Sequence, residues 1–187
     1  MKAGTRALGV AESYRGEEST VAGAVVRASR VVDGFSFTSC TVGGLDSTAA
    51  VVECYRQLDR EDVQYVFVSG IAPAWFNVVD LHAVHDAVSR PVLSVSFEES
   101  EGLDAAIERE FSGDERDRRL DVYERQPDRE PVTVNDERVF VRAVGCENPA
   151  EVVRAFTPEG GRPEPLRVAR LAARAADRRE AAGDSGL

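Results

Sequence analysis

Residues Val63 to Val68 form a short, nearly continuous apolar run rich in β-branched and aromatic side chains. A run of that length without a polar face is how a strand covered on both sides reads, and such strands belong to sheets sandwiched by helices. Its surroundings agree. Asp46 and Ser47 offer N-cap chemistry for a helix to about Leu58, with Val51, Cys54, Tyr55 and Leu58 spaced along one face. After the run come a loop from Ser69 to Phe76, a helix over about Asn77 to Val88 and a strand from Pro91 to Val95. Upstream, three strands are expected: Arg6 to Val10, Val21 to Arg27 and Val31 to Val42. The second and third turn back on each other across Ala28-Ser29-Arg30.

A hairpin first and parallel crossovers later give the element order of a ribonuclease-H-like α/β domain, a mixed sheet with flanking helices. Other mixed α/β folds share parts of that order. Further along, Glu98 to Arg129 is highly charged and predicts helical, solvent-facing structure. Pro131 to Val144 reads as a hairpin around Asn135-Asp136, with Val132, Val134, Val139 and Val141 alternating. Pro149 to Phe156 predicts a short helix capped by Asn148, Thr157 to Glu164 a loop, and Pro165 opens a last helix. One domain over 1–178 is expected, followed by a polar, disordered tail over 179–187.

Net charge is −10, and Lys2 is the only lysine among 23 basic residues. An acidic, arginine-dominated surface suits a cytosol rich in salt, where charge self-repulsion is screened; a GC-rich genome would also favour arginine. Such a protein needs a local basic patch to hold nucleic acid. Cys40, Cys54 and Cys146 are odd in number and lack metal-ligand spacing, which fits reduced thiols in a cytoplasmic protein. No apolar run is long enough for a membrane span, so no membrane partner is expected. Oligomeric state stays open, a homo-oligomer included.

Several groups carry candidate chemistry. Trp75, with Phe76 and Asn77, follows a parallel strand, where α/β sheets place ligands. The tryptophan could stack on an unpaired base or pack the loop. Arg167, Arg170, Arg174 and Arg178 share one face of the last helix and, with Arg162, could track phosphates; a solvated face is the alternative, as is an ion pair of Arg167 with Glu164. His82 and His85, at i, i+3 spacing near Asp86, could be transition-metal ligands or plain helix surface.

Four stretches resemble the archaeal endonuclease dU family, distant relatives of endonuclease V. They are Gly9-Val10-Ala11-Glu12-Ser13-Tyr14; Val42-Gly43-Gly44-Leu45-Asp46-Ser47-Thr48; Val68-Ser69-Gly70-Ile71-Ala72 with Phe76-Asn77-Val78-Val79-Asp80; and Gly161 to Arg170, which contains Pro163-Glu164-Pro165-Leu166-Arg167. The resemblance implies a ribonuclease-H-like, endonuclease V-like fold. It also implies a nuclease for DNA with a deaminated base such as uracil, using Mg²⁺ or Mn²⁺ held by carboxylates at strand ends. Yet the implied ligand positions hold Ala11, Ala49, Ser69 and Arg170. Glu12, Asp46 and Asp80 are the carboxylates left nearby to carry catalysis, with Glu12 and Asp46 as metal ligands. Glu12 could serve only if the strand has already turned there, because adjacent strand residues face opposite sides. Asp46 and Asp80 could instead be helix caps. A relative without hydrolysis, binding nucleic acid or a protein partner, is the alternative.

Overall fold

A computed structural model describes residues 1–184, with side chains described through residue 179. Its strands are β1 (Arg6–Tyr14), β2 (Glu18–Arg27), β3 (Val32–Thr41), β4 (Val63–Ser69), β5 (Val92–Ser96), β6 (Glu130–Val134) and β7 (Glu137–Val144). The helices are α1 (Ser47–Leu58), the single turn α2 (Pro73–Phe76), α3 (Leu81–Val88), α4 (Asp104–Glu110), α5 (Gly113–Glu124), α6 (Pro149–Ala155) and α7 (Glu164–Asp184). One seven-stranded sheet runs in the order β3-β2-β1-β4-β5-β7-β6. The β1–β4 and β4–β5 pairs are parallel, and the others are antiparallel.

The central strands bury both faces, as the Val63–Val68 run requires. Leu8, Val10, Val66, Val68 and Val92 pack with α1 and α3. Ala7, Phe67, Leu93 and Val95 point the other way, into a core shared with α6 and the start of α7. Ala11 lies on this second side too, against Val168 and Ala169. Gly9 lets α7 approach: a β-carbon there would stand 2.2 Å from the Pro165 carbonyl. The Asn135-Asp136 turn has φ of 47° and 66°, the left-handed pair that a two-residue hairpin favours.

The structure corrects several expectations. Strand β1 continues to Tyr14, because Ala11 to Tyr14 remain paired with β2. Helix α3 starts at Leu81 rather than near Asn77, since the Asp80 carboxylate caps it by accepting from the His82 and Ala83 amides. The charged stretch breaks into α4 and α5 across Phe111 to Gly113, where Gly113 takes a φ of 57°. It is not simply solvent-facing, for Arg119 is 1% exposed. Asn148 stands at the N-cap position of α6 without bonding through its side chain. Helix α7 runs on through Asp184, past residue 179 where a disordered tail was expected; residues 185–187 of that tail lie outside the described residues. Among the described residues no helix is long and apolar enough to cross a membrane.

Candidate functional site

The carboxyl ends of β1, β4 and β5 share one edge, since Val10 pairs with Val68, and Ser69 with Val95. That edge is where an open α/β sheet offers a ligand its crevice. Three features meet there: the positions where acids were expected, the Trp75 turn with its cleft, and the arginines of α7.

The expected acids are missing in space as well as in sequence. Ala11 is buried under α7, and Ser69 ends β4. Glu12 cannot stand in for Ala11, because β1 has not turned and its side chain points toward α1, accepting from the Ser19 hydroxyl at 2.8 Å. Asp46 is at the N-cap position of α1 but does not cap it. Its carboxylate instead accepts from the Thr41 amide and hydroxyl and from the Asn77 side chain, at 2.7–3.1 Å. Those hydrogen bonds outweigh burial and hold its pKa below the ordinary carboxylate value. Asp80 is occupied twice, as the α3 cap and by Arg125 at 2.8 Å. Where Ala11, Glu12, Ser69 and Pro73 come together there is only a cavity of about 20 Å³, room for roughly one water. Among the described residues no three histidine, cysteine or carboxylate side chains are placed to hold a metal ion. Divalent Mg²⁺ or Mn²⁺ needs clustered hard oxygen ligands, and the residues present do not provide them.

His82 and His85 do not form a metal pair either. His82 Nε2 bonds the Arg125 carbonyl at 3.2 Å, and His85 Nδ1 bonds the Arg90 carbonyl at 2.8 Å. The thiols are all free; Cys40 and Cys54 are buried and Cys146 is half-buried.

The Trp75 turn is held by a network that the sequence did not reveal. Asn77 is 0% exposed and hence unavailable to nucleic acid, contrary to the role expected for it. Its Oδ1 accepts from the Ser47 amide at 2.9 Å, and its Nδ2 donates to the Thr41 carbonyl at 2.8 Å and to Asp46. The Ser47 hydroxyl donates to the Asn77 carbonyl. This clamp ties the chain after β4 to the start of α1. Just before it, Ala74, Trp75 and Phe76 all take left-handed φ, 45°, 55° and 59°. Each costs about 1–2 kcal/mol for a residue with a β-carbon, so the turn persists only because its surroundings fix it. Those surroundings include Gly43, whose would-be β-carbon lies 2.9 Å from the indole, and Phe111, 5.3 Å away between ring centroids. Arg119 stacks over Phe111 at 3.8 Å and donates to the carbonyls of Phe76, Gly43 and Gly44.

Packed on one side, Trp75 is still 47% exposed. It stands at the rim of a cleft of about 470 Å³, with Ser94, Ser96, Tyr123, Arg129 and Arg142 as polar lining. Sequence reasoning missed this lining, because Arg129 and Arg142 come from segments far from Trp75 in the chain. Arg129 reaches Ser96 and stacks over Phe140 at 4.0 Å, while Arg142 donates to the Tyr123 hydroxyl.

The arginines divide. Arg167 makes a bidentate pair with Glu164 at 2.6 and 2.7 Å, the structural alternative for that residue. Arg162, Arg170 and Arg174 make no ion pair among the described residues.

This sheet, with its hairpin, parallel core and helix across β1, is the fold of endonuclease V. Endonuclease V of Ciona intestinalis, solved with DNA containing an inosine followed by a ribo-adenosine, superposes with a TM-score of 0.61 at 13% identity, over 94% of this chain and 86% of that one. A protein of unknown function from Archaeoglobus fulgidus superposes with a TM-score of 0.76 at 26% identity, over 91% of this chain and 97% of that one. In sequence, a UPF0215 protein of Pyrobaculum aerophilum is 32% identical over 174 residues, 90% of this chain and 92% of the relative. The family model described as Endonuclease dU matches residues 3–177, and the chain belongs to that family.

Proposed function

We propose that this chain binds nucleic acid, with DNA carrying a deaminated base such as uracil as its target, and does not cut it through divalent ions. The observation that carries this reading is Trp75, half exposed at the rim of the cleft and fixed there by three successive left-handed residues. Backbone strain of that kind persists where an element must be held in one place. An indole so held can stack on an extruded base, and such stacking contributes about 1–3 kcal/mol per base. The cleft has room for a base, and its hydroxyls and guanidinium groups offer hydrogen bonds to a base edge. Support for the target comes from the family's description and from the inosine-containing DNA bound by the Ciona protein. Ala11, Ala49, Ser69 and Arg170 at the implied ligand positions argue against hydrolysis.

An endonuclease, as the family's description names it, with metal held by the remaining carboxylates, is the second reading. One observation favours it: Glu12 and Asp46 both lie near the buried Cys40 thiol, where burial, then Asp46 and Glu12, push its pKa up to about 12. Glu12 bonds Ser19, the β2 partner of Cys40, and Asp46 bonds Thr41, the residue after it.

Trp75 is the only tryptophan, so its fluorescence reports the turn directly. Titration with a uracil-containing oligonucleotide should quench it saturably, and Trp75→Ala should weaken binding about 10-fold, as loss of one stacked base would. Unchanged fluorescence, together with no change in the anisotropy of a labelled oligonucleotide at low salt, would refute the proposal.

A further inference from the structure

Arg162, in the loop before α7, and Arg170 and Arg174, on α7, line the stretch where this helix passes the strand ends. In the loop before α7, Arg162 lays its guanidinium over the ring of Phe97, 3.7 Å from the centroid. Its Nη1 is buried and has no hydrogen-bond partner. Phe97 directly follows β5 and packs on the α6–α7 side of the sheet. Helix α7 advances alongside β1: Pro165 touches Gly9, Ala169 packs with Ala11, and Asp177 accepts from the Ser13 hydroxyl. Arg170 and Arg174, one turn apart, therefore flank the second half of β1. Burial and then the charges of Arg170 and Arg174 push the Arg162 pKa below its ordinary value.

In an acidic chain this cluster should have attracted carboxylates. Several arginines elsewhere have such partners, among them Arg6, Arg15, Arg27, Arg60, Arg125 and Arg167, while others such as Arg119 and Arg129 bond carbonyl or hydroxyl oxygens instead. Around the cluster the acids are committed to other groups. Asp177 takes Ser13 and Arg15, and Glu164 takes Arg167. Glu137 lies against Gly161 but pairs with none of the three arginines. On the same side of the sheet, Ala11 presents a methyl and Ser69 a hydroxyl, so the strand ends add no negative charge. Among the described residues no anion pairs with these three arginines.

We infer that Arg162, Arg170 and Arg174 form a phosphate-binding site, reading the phosphate oxygens through guanidinium donors rather than through a metal. Planar guanidinium groups suit a tetrahedral oxyanion, because each can present two parallel N–H donors. The Nη1 of Arg162 has no hydrogen-bond partner, and a phosphate that draws the guanidinium off Phe97 would give it one. The nucleic-acid reading above supplies the biological source of that phosphate, a DNA backbone or terminal phosphate. Inorganic phosphate shares the chemistry and tests the site independently.

The experiment is thermal unfolding and calorimetric titration with inorganic phosphate, against chloride at matched ionic strength, with EDTA present throughout. Phosphate should raise the melting temperature of the unaltered chain, and Arg170→Ala with Arg174→Ala should abolish that rise. The same double variant should melt no lower than the unaltered chain when phosphate is absent, because it removes like-charge repulsion. That result separates a ligand site from a structural one. An Arg162→Ala variant, if folded, should weaken phosphate about 10-fold, the effect of one lost charge-assisted bond. No specific response to phosphate, or an equal response in the double variant, overturns the assignment. Phosphate binding without oligonucleotide binding leaves the site standing and removes the nucleic-acid reading. Oligonucleotide binding with no phosphate response does the reverse. A preference for 5′-phosphorylated over unphosphorylated oligonucleotides would place the source at a strand end, and equal affinity would place it in the backbone.

Discussion

At the hairpin edge of the sheet, Arg6, Arg27 and Arg60 close around Asp33 and Asp62, with nitrogen–oxygen distances of 2.5–3.2 Å. At the carboxyl edge, Arg162, Arg170 and Arg174 make no ion pair with a carboxylate among the described residues. The residue type is the same in both places and the composition is acidic throughout, yet one group is complete and the other is not. The complete one fastens β1, β2 and the start of β3 to the turn before β4, and its chemistry ends there. In the incomplete one, like charges and a buried unpaired donor are kept close at the end of the sheet where ligands bind. A cluster that costs stability and stands at a ligand edge is better explained by what it binds than by what it holds together.

The largest effect should come from moving the incomplete cluster bodily. Gly9→Ala would drive a methyl into the Pro165 backbone. Shifting α7 should cost about 3 kcal/mol in urea unfolding, the upper end for overpacking. Phosphate binding should fall with it while the hairpin-edge pairs persist; unchanged stability and binding would mean that α7 is not seated as described.

Next is the Asn77 clamp, a fully satisfied polar network beside the unsatisfied one. Asn77→Ala strands the Ser47 amide and removes a donor from the Asp46 carboxylate. It should cost about 2–3 kcal/mol by the same assay, the penalty of buried groups left unpaired. The Trp75 emission should shift as well, because the turn loses its anchor.

A smaller effect is expected at Asp33. Hydrogen bonds from Arg27 and Arg6 hold its carboxyl well below its ordinary value. A depressed native pKa means that its stabilisation is present above the unfolded-state value and is lost as pH falls through the native one. Asp33→Asn should therefore lower the melting temperature at neutral pH and narrow its gap to the unaltered chain below about pH 4. A gap that is constant with pH would assign the loss to packing.

The smallest effect belongs to Arg174→Ala, which should change stability by no more than about 0.5 kcal/mol, as for an unpaired surface group. A clear destabilisation would reveal a partner and dissolve the contrast between the two clusters.

Much of this was legible in the sequence, where periodicity and turn chemistry dominate. The buried run at Val63–Val68 and the Asn135-Asp136 hairpin both reappear in three dimensions. Motif-length resemblance reached the family. What local sequence could not show is which polar groups find each other across the chain. Asn77 looked free beside Trp75, but Thr41 and Ser47, some 30 residues earlier, consume its amide. Asp46 read as a cap until Asn77 claimed its carboxylate. The arginine stripe read as one feature, and only the Glu164 pairing and the Phe97 stack separate Arg167 from Arg162. Such partnerships are set by the crossing of β1 and α7 and by the short loops, which no local pattern encodes.

If Ala11 and Ser69, standing where carboxylates were expected, leave a binding edge in place of a hydrolytic one, DNA should be held there without being cut. The direct measurement is to incubate the chain with uracil- and hypoxanthine-containing DNA, with Mg²⁺ or Mn²⁺ at low and at molar salt, and follow strand scission and binding together. DNA should stay intact at every salt concentration and be bound at low salt, with or without metal. Metal-dependent cutting that disappears in Glu12→Gln would contradict it.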